Sequence, residues 1–124
     1  MNRKLILVVD DDAAMSHLLR DFFVRQGYAV AVSASYVGAM SWMNSLVATQ
    51  FPDLVLSDVK LGGASGIDLV RTLSAEKPSL PVILFSVFEE VEQEALKNGA
   101  RRFIRKPFSL SVLARVVDDV LKVN

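Results

Sequence analysis

The most constraining feature of this sequence is a set of short apolar runs, separated from one another by segments of helical length. Leu5–Val9, Leu54–Leu56 and Val82–Phe85 contain no polar residue. Strands of a parallel sheet have this uninterrupted apolar character because helices cover both of their faces. The three runs therefore predict a buried parallel sheet.

Strands and helices alternate along the whole chain, without a repeat, a low-complexity stretch or a linker. The predicted strands are Lys4–Val9, Ala29–Ala34, Leu54–Ser57, Val82–Phe85 and Arg102–Arg105. The predicted helices are roughly Ala14–Gln26, Tyr36–Leu46, Ile67–Glu76, Glu89–Asn98 and Leu110–Val123. Five such units predict an α/β fold, doubly wound with helices on both faces of a five-stranded parallel sheet. The strand order is not written in the sequence; the flavodoxin-like order 2-1-3-4-5 gathers the ends of strands 1, 3, 4 and 5 around one crevice.

Local signals mark the helix boundaries. Asp12 or Ala13 is expected to cap the first helix, Gly27 to end it, and Ser109 to cap the last helix. Apolar stripes predict the buried faces of these two helices: Met15, Leu18, Leu19, Phe22 and Phe23 on the first, and Val112, Leu113, Val116, Val117, Val120 and Leu121 on the last.

Composition narrows the class of protein. With 124 residues and 52% hydrophobic content, the chain is expected to form one domain over residues 1–124. Fourteen basic and fourteen acidic residues cancel, which argues against nucleic-acid binding through bulk charge. The absence of cysteine and the single histidine exclude thiolate and multi-histidine metal sites. Leu5–Val9 is too short to cross a membrane and ends in Asp10–Asp12, so we expect a cytoplasmic protein without a signal peptide.

Polar groups stand at the ends of four predicted strands. They are Asp10–Asp12 after the first strand, Asp58 after the third, Ser86 after the fourth and Lys106 after the last. The carboxyl ends of parallel strands meet at one edge of the sheet, where open α/β proteins place their ligands. Aspartate can form an acyl phosphate, and Mg²⁺ prefers a few carboxylates together with waters and phosphate oxygens. The set therefore predicts a divalent-metal and phosphoryl site, with the lysine neutralising a phosphoryl oxygen.

Each of these residues also has an ordinary structural explanation. An aspartate triplet after a strand can be a solvated loop with a helix cap, and Ser86 can be a strand-end hydroxyl. Lys106 can be a surface lysine before the turn at Pro107, a candidate cis peptide. Within the triplet, the start of the apolar stripe favours Asp10 and Asp11 as the metal pair and Asp12 as the cap.

The motifs together resemble a known family. They are Val8-Val9-Asp10-Asp11, Asp58 with Gly66 eight positions later, Ser86 after an apolar strand, and Lys106-Pro107-Phe108. Each is weak by itself, but all four in this order, each after a predicted strand, are specific. Over its whole length the chain resembles the receiver domain of the bacterial two-component response regulators, of the NtrC- and FixJ-like kind.

The resemblance implies a role for each matching residue. Asp58 would accept a phosphoryl group from a histidine kinase and would also ligate Mg²⁺. Asp11 would ligate Mg²⁺ directly, Asp10 mainly through water, and the backbone carbonyl of Lys60 would complete the protein ligands. Lys106 takes the position of the family's phosphate-binding lysine.

The resemblance also implies a switch. Ser86 takes the switch hydroxyl position and Phe103 the switch aromatic position. On phosphorylation Ser86 would move toward the phosphate, Phe103 would turn inward, and the surface of the fourth helix, fifth strand and fifth helix would change. The same surface is the expected interface of a homodimer. The module would be a regulatory phosphoacceptor and not an enzyme, with at most slow self-dephosphorylation.

The implied partners are a sensor histidine kinase or phosphotransfer protein and an output effector domain or protein. Direct binding to nucleic acid or to a membrane is not expected. Whether the chain stands alone or belongs to a larger transcriptional regulator or hybrid kinase stays open at this point.

Four departures from the family pattern have expected consequences. The usual Asp-x-x-Met-Pro becomes Asp58-Val59-Lys60-Leu61-Gly62, which predicts a more mobile loop after the acceptor. Val87 stands where alanine or glycine is frequent, and Lys60 and Phe88 border the path of hydrolytic water. These side chains lead to the hypothesis of a long-lived phosphoryl state. The stretch from Ser86 to Lys106 is about two residues short, which predicts that either the fourth helix or the loop before it is abbreviated.

Three other functions compete with this reading. A pseudo-receiver would bind a protein without phosphoryl turnover, but the complete acidic, hydroxyl and lysine set argues against it. An aspartate-nucleophile phosphatase would need a second aspartate where Lys60 stands. A flavodoxin would need a phosphate loop after the first strand, where Asp10–Asp12 would repel a phosphate in the absence of a metal.

Overall fold

The sheet has the predicted order. The computed structural model describes residues 3–47 and 50–122. The strands are β1 (Leu5–Val9), β2 (Ala29–Ser33), β3 (Leu54–Asp58), β4 (Val82–Ser86) and β5 (Arg102–Arg105). All neighbouring strands pair in parallel, in the order β2-β1-β3-β4-β5. The predicted strands are therefore confirmed, with ends that differ by single residues.

The helices are α1 (Ala13–Arg25), α2 (Tyr36–Asn44), α3 (Gly66–Glu76), α4 (Glu92–Lys97) and α5 (Leu110–Lys122). Of the two predicted alternatives, the fourth helix is the short element: α4 has six residues and begins at Glu92, after a 3-10 turn at Glu89–Val91, where the prediction had a helix from Glu89. No side chain among the described residues caps this turn or the start of α4. The second helix ends two residues before its predicted end at Leu46, and Val123 lies outside the described residues.

Successive residues of each strand belong alternately to two hydrophobic cores, one on each face of the sheet. Leu7, Val55 and Leu84 join the core under α2, α3 and α4. Ile6, Leu56 and Phe85 join the core under α1 and α5. This two-sided burial explains why the central strands are apolar until their carboxyl ends: every residue of β3 and β4 is buried, and polar residues appear only at Ser57, Asp58 and Ser86.

Two residues of the predicted apolar stripes are exposed instead of buried. Leu18 is 49% exposed and Val112 is 47% exposed. The buried stripe of α1 runs through Leu19 and Phe23, and that of α5 includes Leu113. Successive helical residues are 100° apart, so Leu18 and Val112, each next to a buried leucine, are turned toward solvent.

The helix caps follow the local sequence signals. The side chain of Asp12 accepts hydrogen bonds from the N–H groups of Ala14 (3.0 Å) and Met15 (3.3 Å), so the prediction of an Asp12 cap is confirmed. Gly27, beyond the end of α1, has a φ of +101°, a conformation that glycine adopts without strain. Ser109 accepts a hydrogen bond from the N–H of Val112 at the start of α5.

Over residues 3–47 and 50–122, no helix is both long enough and apolar enough to span a membrane.

Candidate functional site

The parallel sheet brings the predicted polar residues to one cleft at its carboxyl edge. Asp58 and Ser86 are the last residues of β3 and β4, Asp10 follows β1, and Lys106 follows β5. The cleft has a volume of about 270 Å³ and is lined by Asp10, Asp11, Asp12, Asp58, Lys60, Ser86, Val87, Phe88 and Lys106. Residues almost 100 positions apart in the sequence therefore share one site.

Asp58 lies at the bottom of the cleft with both carboxylate oxygens engaged. Its Oδ1 accepts a hydrogen bond from the Lys60 N–H at 2.9 Å, and its Oδ2 accepts one from Lys106 Nζ at 2.6 Å. The Asp58 and Lys106 side chains are only 12% and 19% exposed. Charge-assisted hydrogen bonds of this kind are short and orient both partners. The carboxylate is thereby held in one orientation toward the cleft.

Gly66 packs directly beneath the backbone of Asp58. A Cβ atom at Gly66 would lie 2.2 Å from the Asp58 carbonyl oxygen and 3.0 Å from the Cα of Val59. The Gly66 N–H donates to the Val59 carbonyl at 2.7 Å. Only glycine fits this approach, which gives a physical reason for the glycine eight positions after the acceptor.

Asp10 is buried and incompletely hydrogen-bonded. It is 2% exposed, its Oδ1 accepts the N–H of Asp12 at 2.9 Å, and its Oδ2 has no partner among the described residues. Burial raises the pKa of Asp10 from 3.8 to about 6, against the lowering effect of the Asp12 hydrogen bond. The nearby charges of Asp58 and Asp11 also raise this pKa, and that of Lys106 lowers it.

Asp11 differs from Asp10 in being exposed and in reaching across the cleft to another loop. Its Oδ2 accepts a hydrogen bond from the backbone N–H of Gly62 at 3.1 Å. Asp12 is engaged as the cap of α1, and the choice of Asp10 and Asp11 as the metal pair stays a prediction. The Gly62 contact was not predicted, because Gly62 was interpreted only as a source of loop mobility. The sequence signal that could have indicated this contact was a residue with an N–H at position 62, where the family usually has proline.

The remaining predicted site residues surround this centre. Ser86 is buried, and its Oγ accepts a hydrogen bond from the N–H of Phe88 at 3.0 Å. Val87 and Phe88 are 59% and 47% exposed at the mouth of the cleft. Phe103, on the edge strand β5, is half-buried and packs against the core under α4. An ion pair between Arg105 and Glu89, which was not predicted, joins the end of β5 to the turn before α4.

The donor set suits a hard cation with a loose coordination shell. The carboxylates of Asp10, Asp11 and Asp58 line one cleft, and within the part of the chain that the structure describes the buried Asp10 Oδ2 has no hydrogen-bond partner. Within residues 3–47 and 50–122, no three acidic, histidine or cysteine side chains approach closely enough to enclose a metal by themselves. Mg²⁺ fits such a site because it keeps several waters and uses one or two carboxylates with phosphate oxygens.

Comparison with known proteins places the chain in a family. The family model for the response regulator receiver domain matches residues 6–118. The chain therefore belongs to the response regulator receiver domains, the regulatory domains of two-component signalling systems. Proteins of this class interact with histidine kinases or phosphotransfer proteins and with output effector domains.

The relatives include both regulators that are much longer than this chain and a protein of nearly the same length. The chain is 33% identical over 118 residues to the transcriptional regulatory protein ZraR of Salmonella typhimurium, covering 94% of this chain but 26% of ZraR. It is 31% identical over 123 residues to sporulation initiation phosphotransferase F of Bacillus subtilis, covering 98% of this chain and 95% of that protein. The solved receiver domain of NtrX from Brucella abortus superposes with a TM-score of 0.87 at 28% identity, covering 96% and 99% of the two chains.

Proposed function

We propose that residues 1–124 form one receiver domain and that Asp58 is its phosphoacceptor. The observation that carries this proposal is the Asp58 carboxylate, held by the Lys60 N–H and the Lys106 ammonium at the sheet edge. In the same cleft lies Asp10 Oδ2, for which the described residues supply no hydrogen-bond partner. A largely buried lysine–aspartate pair and a carboxylate oxygen in this situation are costly for folding alone, which supports a role in binding.

The chemistry needs only positioning and charge neutralisation. A carboxylate oxygen of Asp58 forms a bond to phosphorus while the bond from phosphorus to the donor's histidine nitrogen breaks, and the imidazole keeps the electron pair. Lys106 then exchanges its carboxylate partner for a phosphoryl oxygen. Mg²⁺, held by Asp10, Asp11, Asp58 and the Lys60 carbonyl, would neutralise the other phosphoryl oxygens.

The proposed output is a rearrangement at β5 and its neighbours. Ser86 lies beside Asp58 at the end of the adjacent strand, so its hydroxyl can turn toward a phosphoryl group. Phe103 is half-buried on the edge strand and packs against the core, so it can in this proposal exchange its exposed part for a more buried position. A population shift between these two packings would change the surface of α4, β5 and α5. That surface is the proposed contact for an effector domain, a protein partner or a second copy.

We further propose a regulatory phosphoacceptor with a long-lived phosphoryl state. Val87, Phe88 and Lys60 line the mouth of the cleft, and bulk there hinders the approach of a hydrolytic water. Replacing both Val87 and Phe88 by alanine should shorten the lifetime of the phosphorylated protein, followed by the decay of its intact mass. A lifetime that is unchanged or longer in the double variant would contradict this hypothesis.

The test of the phosphoacceptor role is intact-mass spectrometry after incubation with a small phosphodonor, with and without Mg²⁺. Wild type should gain one phosphoryl group only when Mg²⁺ is present. Asp58→Asn should gain none, whereas Asp119→Asn, which changes an exposed aspartate of α5, should behave as wild type. Failure of wild type both to form an adduct and to bind Mg²⁺ would favour a pseudo-receiver, a protein-binding module without phosphoryl turnover.

A further inference from the structure

The loop after the acceptor is tied to the metal site by a backbone hydrogen bond. The N–H of Gly62 donates to Oδ2 of Asp11 at 3.1 Å. Immediately before it, Leu61 is 5% exposed and anchors the loop in the core, and immediately after it Gly63 turns the chain with a φ of +86°. The Gly62 amide is therefore presented to Asp11 from a segment that is anchored in the core on its amino-terminal side by Leu61.

This contact depends on the residue by which the chain departs from its family. Where the family usually has proline, which has no N–H, this chain has Gly62. Proline would rigidify the loop covalently but could not donate to Asp11. Here the loop gains a donor, and the carboxylate that would ligate the metal gains a partner.

We propose that the Gly62 amide is a positioning group for the metal ligand Asp11. This inference rests on the proposed metal site. Asp11 is exposed, so without a partner its side chain would sample several rotamers. The hydrogen bond engages Oδ2, and no described residue bonds to Oδ1 while the side chain lines the cleft. Carboxylates that bind metals are commonly oriented by such a neighbouring donor.

Two substitutions at position 62 distinguish the effect of losing the N–H donor from the effect of losing a glycine. Gly62→Ala keeps the N–H, and its Cβ would meet only Asp11 Oδ2, at an ordinary 3.7 Å. Gly62→Pro removes the N–H, and both variants lose the freedom of glycine. The readout is the Mg²⁺ dissociation constant from calorimetry, with circular dichroism to check folding. We expect Gly62→Pro to bind Mg²⁺ about tenfold more weakly than Gly62→Ala. Loss of a group that orients a metal ligand typically costs about 10- to 100-fold in affinity, and we expect the smaller effect because this hydrogen bond is exposed.

Hydrogen exchange of the Gly62 amide in wild type gives an independent answer if Gly62→Pro fails to fold. The proposal predicts that this amide is protected, that Mg²⁺ maintains or increases the protection, and that Asp11→Ala abolishes it. Equal Mg²⁺ affinities of the two variants, or loss of protection when Mg²⁺ binds, would overturn the proposal. Absence of Mg²⁺ binding by wild type would instead remove the proposed metal site itself.

Discussion

Substituting Gly66 by alanine tests whether the backbone beneath the acceptor must be free of a side chain. The new Cβ would lie 2.2 Å from the Asp58 carbonyl oxygen, and separations below 3.0 Å are not tolerated. Because the obstructing atoms are backbone, the end of β3 must shift by about 0.8 Å to relieve the contact. The Asp58 side chain moves with it, which disturbs its hydrogen bonds to the Lys60 N–H and Lys106 Nζ.

The expected cost falls on both stability and reactivity. Overpacking a filled interior costs about 1–3 kcal/mol. Alanine in a helix recovers up to about 1 kcal/mol relative to glycine. Gly66 is the first residue of α3, where helix propensity contributes least, so we expect most of the overpacking cost to remain and the free energy of unfolding of Gly66→Ala to fall by about 1–3 kcal/mol. A misplacement approaching 1 Å can cost roughly 100-fold in rate, so the phosphoryl adduct on Asp58 should form 10- to 100-fold more slowly, by the same principle.

The assay combines urea unfolding with the time course of the adduct mass at a temperature where the variant is folded. The matched control is Gly38→Ala, also an early helical position, where the new Cβ would meet Ser35 Oγ at 3.2 Å and Ser33 Cβ at 4.0 Å. These are side-chain atoms that can move, and they are outside the cleft. A Gly66→Ala protein with the adduct rate and stability of Gly38→Ala would refute the reasoning.

Three further predictions concern the charges of the cleft and its neighbouring cap. The pKa of Asp10 is raised to about 6 in the folded protein, so between about pH 4 and pH 6 the unfolded chain has released this proton while the folded protein still holds it. The metal-free protein should therefore lose stability as the pH rises through this range. Asp10→Asn should abolish this slope and raise the free energy of unfolding at pH 7 by roughly 1–3 kcal/mol, measured by urea unfolding at several pH values; an unchanged slope would contradict the assignment. Lys106→Met should tighten Mg²⁺ binding, because it removes a positive charge from the cleft, and should slow adduct formation roughly 10- to 100-fold. Weaker Mg²⁺ binding would count against this account. Asp12→Ala should cost about 1 kcal/mol of stability through the lost cap of α1 and leave Mg²⁺ affinity unchanged; a large loss of Mg²⁺ affinity would instead make Asp12 a ligand.

Much of the fold could be predicted because its signals are local. Strands covered on both faces must be apolar throughout, so Leu54–Leu56 could be assigned without knowledge of its neighbours. Asp12 and Ser109 cap helices through hydrogen bonds to amides two or three residues away, which sequence spacing alone describes. The strand order required the topological argument that polar strand ends should share a crevice.

The features that escaped prediction depend on contacts between distant segments. Asp10 and Asp11 are neighbours, yet one is buried and the other exposed, because the chain leaves the sheet between them. The hydrogen bond from Gly62 to Asp11 spans 51 positions and uses a backbone donor that no side-chain pattern reveals. Leu18 is apolar and in helical register, but its exposure depends on where α1 sits over the sheet.

The most direct test of the central claim is to locate the phosphoryl group. An acyl phosphate is reduced by borohydride to an alcohol, which would convert a phosphorylated Asp58 into homoserine. Peptide mapping after incubation with a phosphodonor and Mg²⁺, followed by reduction, should find homoserine at position 58 and at no other aspartate. Homoserine at Asp10 or Asp11, or an adduct that resists reduction, would contradict the assignment of Asp58 as the phosphoacceptor.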